Sequence, residues 1–155
     1  MGFTFKVETR KLPALIKRLD KLDGMVVDVG FFEEDRYGPE NNNLPVATVA
    51  YYNEYGTRYN PTRPFMEETF TSSIGRRYIQ AMYKKIFENA IMNGRSITRL
   101  MRELGEDVAG LMQTTILNYP GSNSPATVSA KGKNTPLRDT EFMMKSVKFQ
   151  ITRRR

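Results

Sequence analysis

Residues 74–116 carry two consecutive stretches of helical apolar periodicity, and no other feature narrows the fold as much. Ile74, Tyr78, Met82, Ile86 and Ala90 form one row four residues apart, and Ile79, Tyr83, Phe87 and Ile91 form the row beside it. Side chains three and four apart share one face of an α-helix, so the rows merge into a broad apolar stripe. Asn93 and Gly94 suit the end of a helix, and Ser96 is placed to cap a second one. There Ile97, Leu100, Met101, Leu104, Val108, Leu111, Met112, Thr115 and Ile116 repeat in a 3,4 rhythm. Two long helices with so short a break pack as an antiparallel hairpin or run on as one bent helix. Gly105 and Gly110 weaken the second helix and suit the close approach of a neighbour.

The ends of the chain have a different period. Phe3, Phe5 and Val7 alternate with polar residues, the pattern of a half-buried strand, and Leu12, Leu15, Ile16, Leu19 and Leu22 return to helical spacing before Gly24. MVVDVGFF, residues 25–32, is β-branched and aromatic and reads as a second strand. Residues 33–45 are turn formers and charges, which predicts an exposed, mobile loop. Val46, Val49, Ala50 and Asn53 then predict a short helix ending at Gly56, the alternative being that TVAYY continues a hairpin from the preceding strand. Residues 118–137 offer almost nothing to bury and read as a second long, flexible loop. A short helix from about residue 140 leads into Val147, Phe149 and Ile151, which alternate as a closing strand. Strands towards both ends and a helical middle, without a βαβ rhythm, predict an α+β fold. It is a single domain over 1–155, in which a long helical hairpin packs on a small antiparallel sheet of N- and C-terminal strands.

Composition narrows the chemistry. The 155 residues include no cysteine and no histidine, which excludes disulfides, thiol catalysis, Cys/His zinc sites and triads with an imidazole base. No phosphate loop, dinucleotide fingerprint or nucleophile elbow is present. The carboxylates Glu33, Glu34 and Asp35, and Glu103, Glu106 and Asp107, read as a solvated loop and a helix surface rather than metal ligands. The expectation is a protein without cofactor, metal or catalytic residues. No run of apolar residues approaches the ~18 that span a membrane, and the first residues lack the apolar stretch of a signal peptide, so the chain is expected in the cytoplasm where it is made.

Charge is uneven. Residues 1–70 hold nine Lys/Arg against eleven Asp/Glu, and residues 71–155 hold fifteen against six. Lys131, Lys133, Arg153, Arg154 and Arg155 lie in segments that read as flexible and could settle on phosphates or on an acidic protein surface. A small, basic, nonspecific DNA-binding protein is therefore one functional reading. NEYGTRYNPTRPF, residues 53–65, has a structural reading as a helix end and a proline-stiffened crossing anchored by Phe65. Its other reading joins Glu54 and Arg63 in a salt bridge, within the subunit or to a neighbour.

Two phrases carry a family resemblance. VATVAYYNEYGTRYNPTRPFMEETF resembles the "A…NEFGT…PxRPF" signature of tailed-bacteriophage neck and tail-completion proteins, also called virion-morphogenesis or head-tail joining proteins. SPATVSAKGKNTPLRDTEFMMKSVKF is similar to that family's second signature, "SP.T…KG…PL.DTG.L..S", and MVVDVGFF to its "V.VG" strand. The phrases stand in the family's order and span about residues 25–151. One position departs, since Glu141 stands where the family has glycine after Asp139 and Thr140.

The resemblance implies a structural virion protein and no catalysis. Its subunits would form a homo-oligomeric ring in the neck, between the head-closure or connector protein and the tail terminator or tail tube protein. That ring would surround the channel through which DNA leaves, after assembly in the host cytoplasm. A tail terminator or a head-closure adaptor is the nearest alternative. Glu54, Arg63, Lys131, Lys133, Asp139, Arg153, Arg154 and Arg155 are the candidate partner and assembly residues.

Overall fold

The computed structural model describes residues 9–121, 128, 129, 132, 137 and 141–154. Its elements follow the chain as a short 3₁₀ turn Thr9–Lys11, α1 (Leu12–Leu22), β1 (Met25–Gly30), α2 (Val46–Tyr55), α3 (Phe65–Thr71) and α4 (Ser73–Phe87). A 3₁₀ turn Pro39–Asn41 between β1 and α2, a π-helical turn Glu88–Met92, α5 (Ile97–Leu117), α6 (Phe142–Lys145) and β2 (Lys148–Arg153) complete those of the described residues. The architecture is α+β, with helices packed on an antiparallel pair of strands drawn from opposite ends of the chain.

β1 and β2 pair from Met25 opposite Arg153 to Gly30 opposite Lys148. Alternation puts Met25, Val27, Val29 and Ile151 against the buried cluster on one face, and α5 lies across that face. Gly105 lets α5 come close, because a Cβ there would run into the Phe149 ring. The other face is polar and laced together, Thr152 Oγ1 donating to Asp28 Oδ2 at 3.1 Å and Arg154 pairing with Asp28 Oδ1 at 2.8 Å. The strand expected over Phe3, Phe5 and Val7 lies outside the described residues.

α5 is the spine of the molecule. Its N-terminal half packs Ile97, Leu100, Met101, Leu104 and Val108 against Ile86, Ala90 and Ile91. Its C-terminal half packs Ala109, Met112 and Ile116 against Val46, Ala50, Phe65, Met143 and Val147. The helices before α5 therefore run back along it, and the expected hairpin is what forms. Its first arm is broken where Ser72 takes extended dihedrals, and the Ser72 hydroxyl accepts the Gly75 amide at 3.1 Å to cap α4. Ser96 precedes α5 as expected but makes no side-chain cap. The π turn turns both Ala90 and Ile91 inward.

The loop over 33–45 is more organised than its composition implies. Tyr37 donates its amide to the Leu44 carbonyl at 2.9 Å, Val46 to Asp35 at 2.9 Å, and Arg36 bridges Pro45. Lys148 Nζ reaches Asp35 Oδ1 at 2.7 Å and ties the loop to β2. Backbone amides give the loop a hairpin-like closure, and Tyr37, packed on the core with its ring 5.2 Å from that of Phe142, anchors it.

Candidate functional site

The crossing over residues 53–65 is built around one buried carboxylate. Glu54, in the last turn of α2, has only 5% of its surface exposed, and Pro64 at the N-cap of α3 offers no side-chain acceptor. The amides of α3's first turn have no partner within their own helix. Glu54 supplies it from α2, Oε2 accepting the Met66 amide and Oε1 the Glu67 amide, each at 2.8 Å. A negative charge at this point also meets the positive end of the α3 dipole. A capping acceptor belonging to the preceding helix thus fixes how α2 and α3 join.

The rest of the phrase serves the same junction. Arg63 donates its amide to the Asn53 carbonyl at 2.6 Å and its guanidinium to Asn53 Oδ1 at 3.3 Å. Thr57 Oγ1 accepts the amides of Tyr59 and Asn60, and Thr62 Oγ1 donates to the Tyr55 carbonyl. Gly56 adopts φ +75, and a Cβ there would strike Thr62, so the turn needs glycine. The salt bridge expected between Glu54 and Arg63 is not the contact that organises the crossing. The carboxylate goes to two backbone amides because a buried charge is better satisfied by two directed donors at a helix N-terminus. Beside it, Tyr119 donates to Glu68 Oε1 at 3.5 Å, and burial followed by the Glu68 charge raises its phenol above its ordinary value.

Of the candidate basic residues, Arg153 and Arg154 are described. Arg153 lies in β2, its guanidinium donating to the carbonyls of Asp20, Lys21 and Asp23 at the C-terminal end of α1. Arg154 pairs with Asp28 and donates its amide to Gly24. The two residues therefore do not stand in a free tail: Arg153 ties β2 to α1, and Arg154 ties the end of β2 to β1. Lys131, Lys133, Asp139 and Arg155 lie outside the described residues.

Glu141 stands just before α6 with φ +58, in the left-handed region. Glycine enters that region without the Cβ penalty, which gives a physical reason for glycine at this position of the signature. The Glu141 carboxylate pairs with Lys145 at 3.3 Å, one turn on, rather than capping the helix.

Exposed aromatics are the feature that reasoning from single motifs missed. Tyr51, Tyr52 and Tyr55 stand outward from α2, with the Tyr51 ring 4.7 Å from that of Tyr55 and 6.3 Å from that of Tyr52. Two open grooves, about 350 and 560 Å³, meet at Ala47 and Tyr51. The YYNEY run in the sequence is their signal, since α2 buries only Val46, Ala50 and Glu54 and must turn its tyrosines away. Among the described residues no carboxylate group could hold a metal ion, and no helix is long and apolar enough to cross a membrane. No protein-family model, curated protein or solved structure matches the chain.

Proposed function

We propose that this chain is a structural virion protein of a tailed phage, forming a ring in the neck that joins head-closure or connector proteins to the tail. The observation that carries this reading is its outward apolar surface. Tyr51, Tyr55, Ile74, Tyr83, Phe87 and Met92 are each more than half exposed in a small chain. Exposed apolar residues gathered on helices mark sites of protein association. The two signature phrases supply the identity of the assembly, and the built crossing at Glu54 supplies a reason for the first of them. In that crossing, Asn53, Glu54, Gly56, Thr57 and Arg63 each hold the α2–α3 junction, so the phrase serves a scaffold for association rather than a reaction.

The test is the protein's place in a purified particle. Gold labelling of a tagged copy is expected to mark the junction of head and tail. A protein absent from purified particles, and monomeric both alone and with its neighbouring gene products, would overturn the reading.

A further inference from the structure

Two uncovered faces of the subunit are complementary. On α4 only Gly75, Ile79, Met82 and Ile86 turn inward, and Ile74, Tyr78, Ala81 and Lys85 form an exposed row at spacings of four, three and four. That is the anchor spacing with which a helix fills a groove. α4 carries Arg76, Arg77, Lys84 and Lys85 and no acid, a net charge of +4. On the other side, α2 offers its tyrosines and the two grooves beside Tyr51, one lined by Gly30, Phe31, Tyr55 and Met66 and the other rimmed by Glu33. Residues 25–57 around it hold six carboxylates against Arg36; with Glu54 buried and Asp28 and Asp35 paired to Arg154 and Lys148, exposed Glu33, Glu34 and Glu40 stand against Arg36, a net charge of −2.

Resting on the ring reading above, we infer that the occupant of the α2 face is α4 of a second copy of this chain, with Ile74 and Tyr78 seated beside Tyr51 and Tyr55. Charge selects this pairing over the symmetric ones. Two α4 faces would set +4 against +4, and two α2 faces −2 against −2, and like charges across an interface oppose docking. A contact between different faces is heterologous, so it propagates from subunit to subunit and closes into a ring when the rotation permits. The row on α4 and the tyrosines on α2 are also the surfaces that each helix leaves bare within its own subunit.

Complementation between two variants tests this. One carries Tyr51→Glu with Tyr55→Glu and the other Ile74→Glu with Tyr78→Glu. All four sites are exposed, so unchanged circular dichroism and denaturant midpoints are expected to show that both fold. In sedimentation velocity, wild type is expected to assemble, and each variant alone to be monomeric, its self-association weakened roughly thirty-fold or more. An equal mixture of the two is expected to give dimers and nothing larger, because one intact α2 face then meets one intact α4 face. Either variant assembling like wild type, or a mixture that stays monomeric, overturns this inference while leaving the ring reading in place. Wild type that never assembles, alone or with its neighbouring gene products, and is absent from particles brings down the ring reading, and this inference with it.

Discussion

α4 and α5 are consecutive amphipathic helices with the same apolar rhythm and opposite fates. α5 buries nine of its 21 residues and touches both halves of the core, whereas α4 buries only Gly75 and Ile86 of its 15. The difference lies in what surrounds them. α5 has the sheet on one side and α3, α4 and the π turn on others, so a wide stripe is covered. α4 has one covered side, so Ile74, Tyr78, Tyr83 and Phe87, on the flanks of its stripe, remain in solvent. Periodicity therefore reports which face of a helix is apolar, and only the neighbours decide whether that face is core or contact surface.

Side-chain truncations on the two helices should differ most. Leu100→Ala or Met112→Ala is expected to lose about 2–5 kcal/mol of stability, since both side chains are fully enclosed. Ile74→Ala is expected to stay within about 0.5 kcal/mol of wild type. Urea unfolding of the monomer measures both, and an equal loss at Ile74 would break the contrast. Glu54→Ala removes the acceptor for two amides of α3 and is expected to cost about 1–3 kcal/mol, with Glu54→Gln costing less because an oxygen remains. A neutral Glu54→Ala would mean that the crossing is not held as described.

The two interior glycines of α5 make a smaller version of the same contrast. Gly105→Ala places a methyl against the Phe149 ring and is expected to cost about 1–3 kcal/mol. A methyl on Gly110 would meet nothing within 4 Å, so Gly110→Ala is expected to stabilise by up to about 1 kcal/mol through helix propensity. The smallest effect is at the entrance to α6. Glu141→Gly relieves roughly 1 kcal/mol of left-handed strain and gives up an exposed ion pair with Lys145 of about 0.3–0.5 kcal/mol, so a small net gain is expected in thermal unfolding.

Most of the fold was legible because its elements announce themselves by period and punctuation. Pro13 and Gly24 bracket α1, Gly56 ends α2, and the alternation of Val147, Phe149 and Ile151 leads into β2. The break at Ser72 was hidden because it lies just ahead of Ile74, where the apolar rows begin, and only a backbone dihedral reveals it. The candidate site was less legible. Glu54 could be picked out as a singular residue, but its targets lie twelve and thirteen residues on, and no local spacing rule links a carboxylate to the next helix's amides. Arg153 and Arg154 read as part of a flexible tail for a similar reason. Their partners Asp20, Lys21, Asp23, Gly24 and Asp28 are more than a hundred residues away, so composition alone suggests free charges where the fold has closing contacts.

On the pairing inferred above, the bare row of α4 and the tyrosine face of α2 are kept for another copy of the chain. Hydroxyl-radical labelling of the subunit before and after assembly, read by mass spectrometry, tests it residue by residue. Labelling at Tyr51, Tyr55, Ile74 and Tyr78 is expected to fall sharply on assembly, while Tyr83, on the opposite flank of α4 and equally open in the subunit, stays as reactive as before. Unchanged labelling of those four residues in an assembled ring would contradict the account.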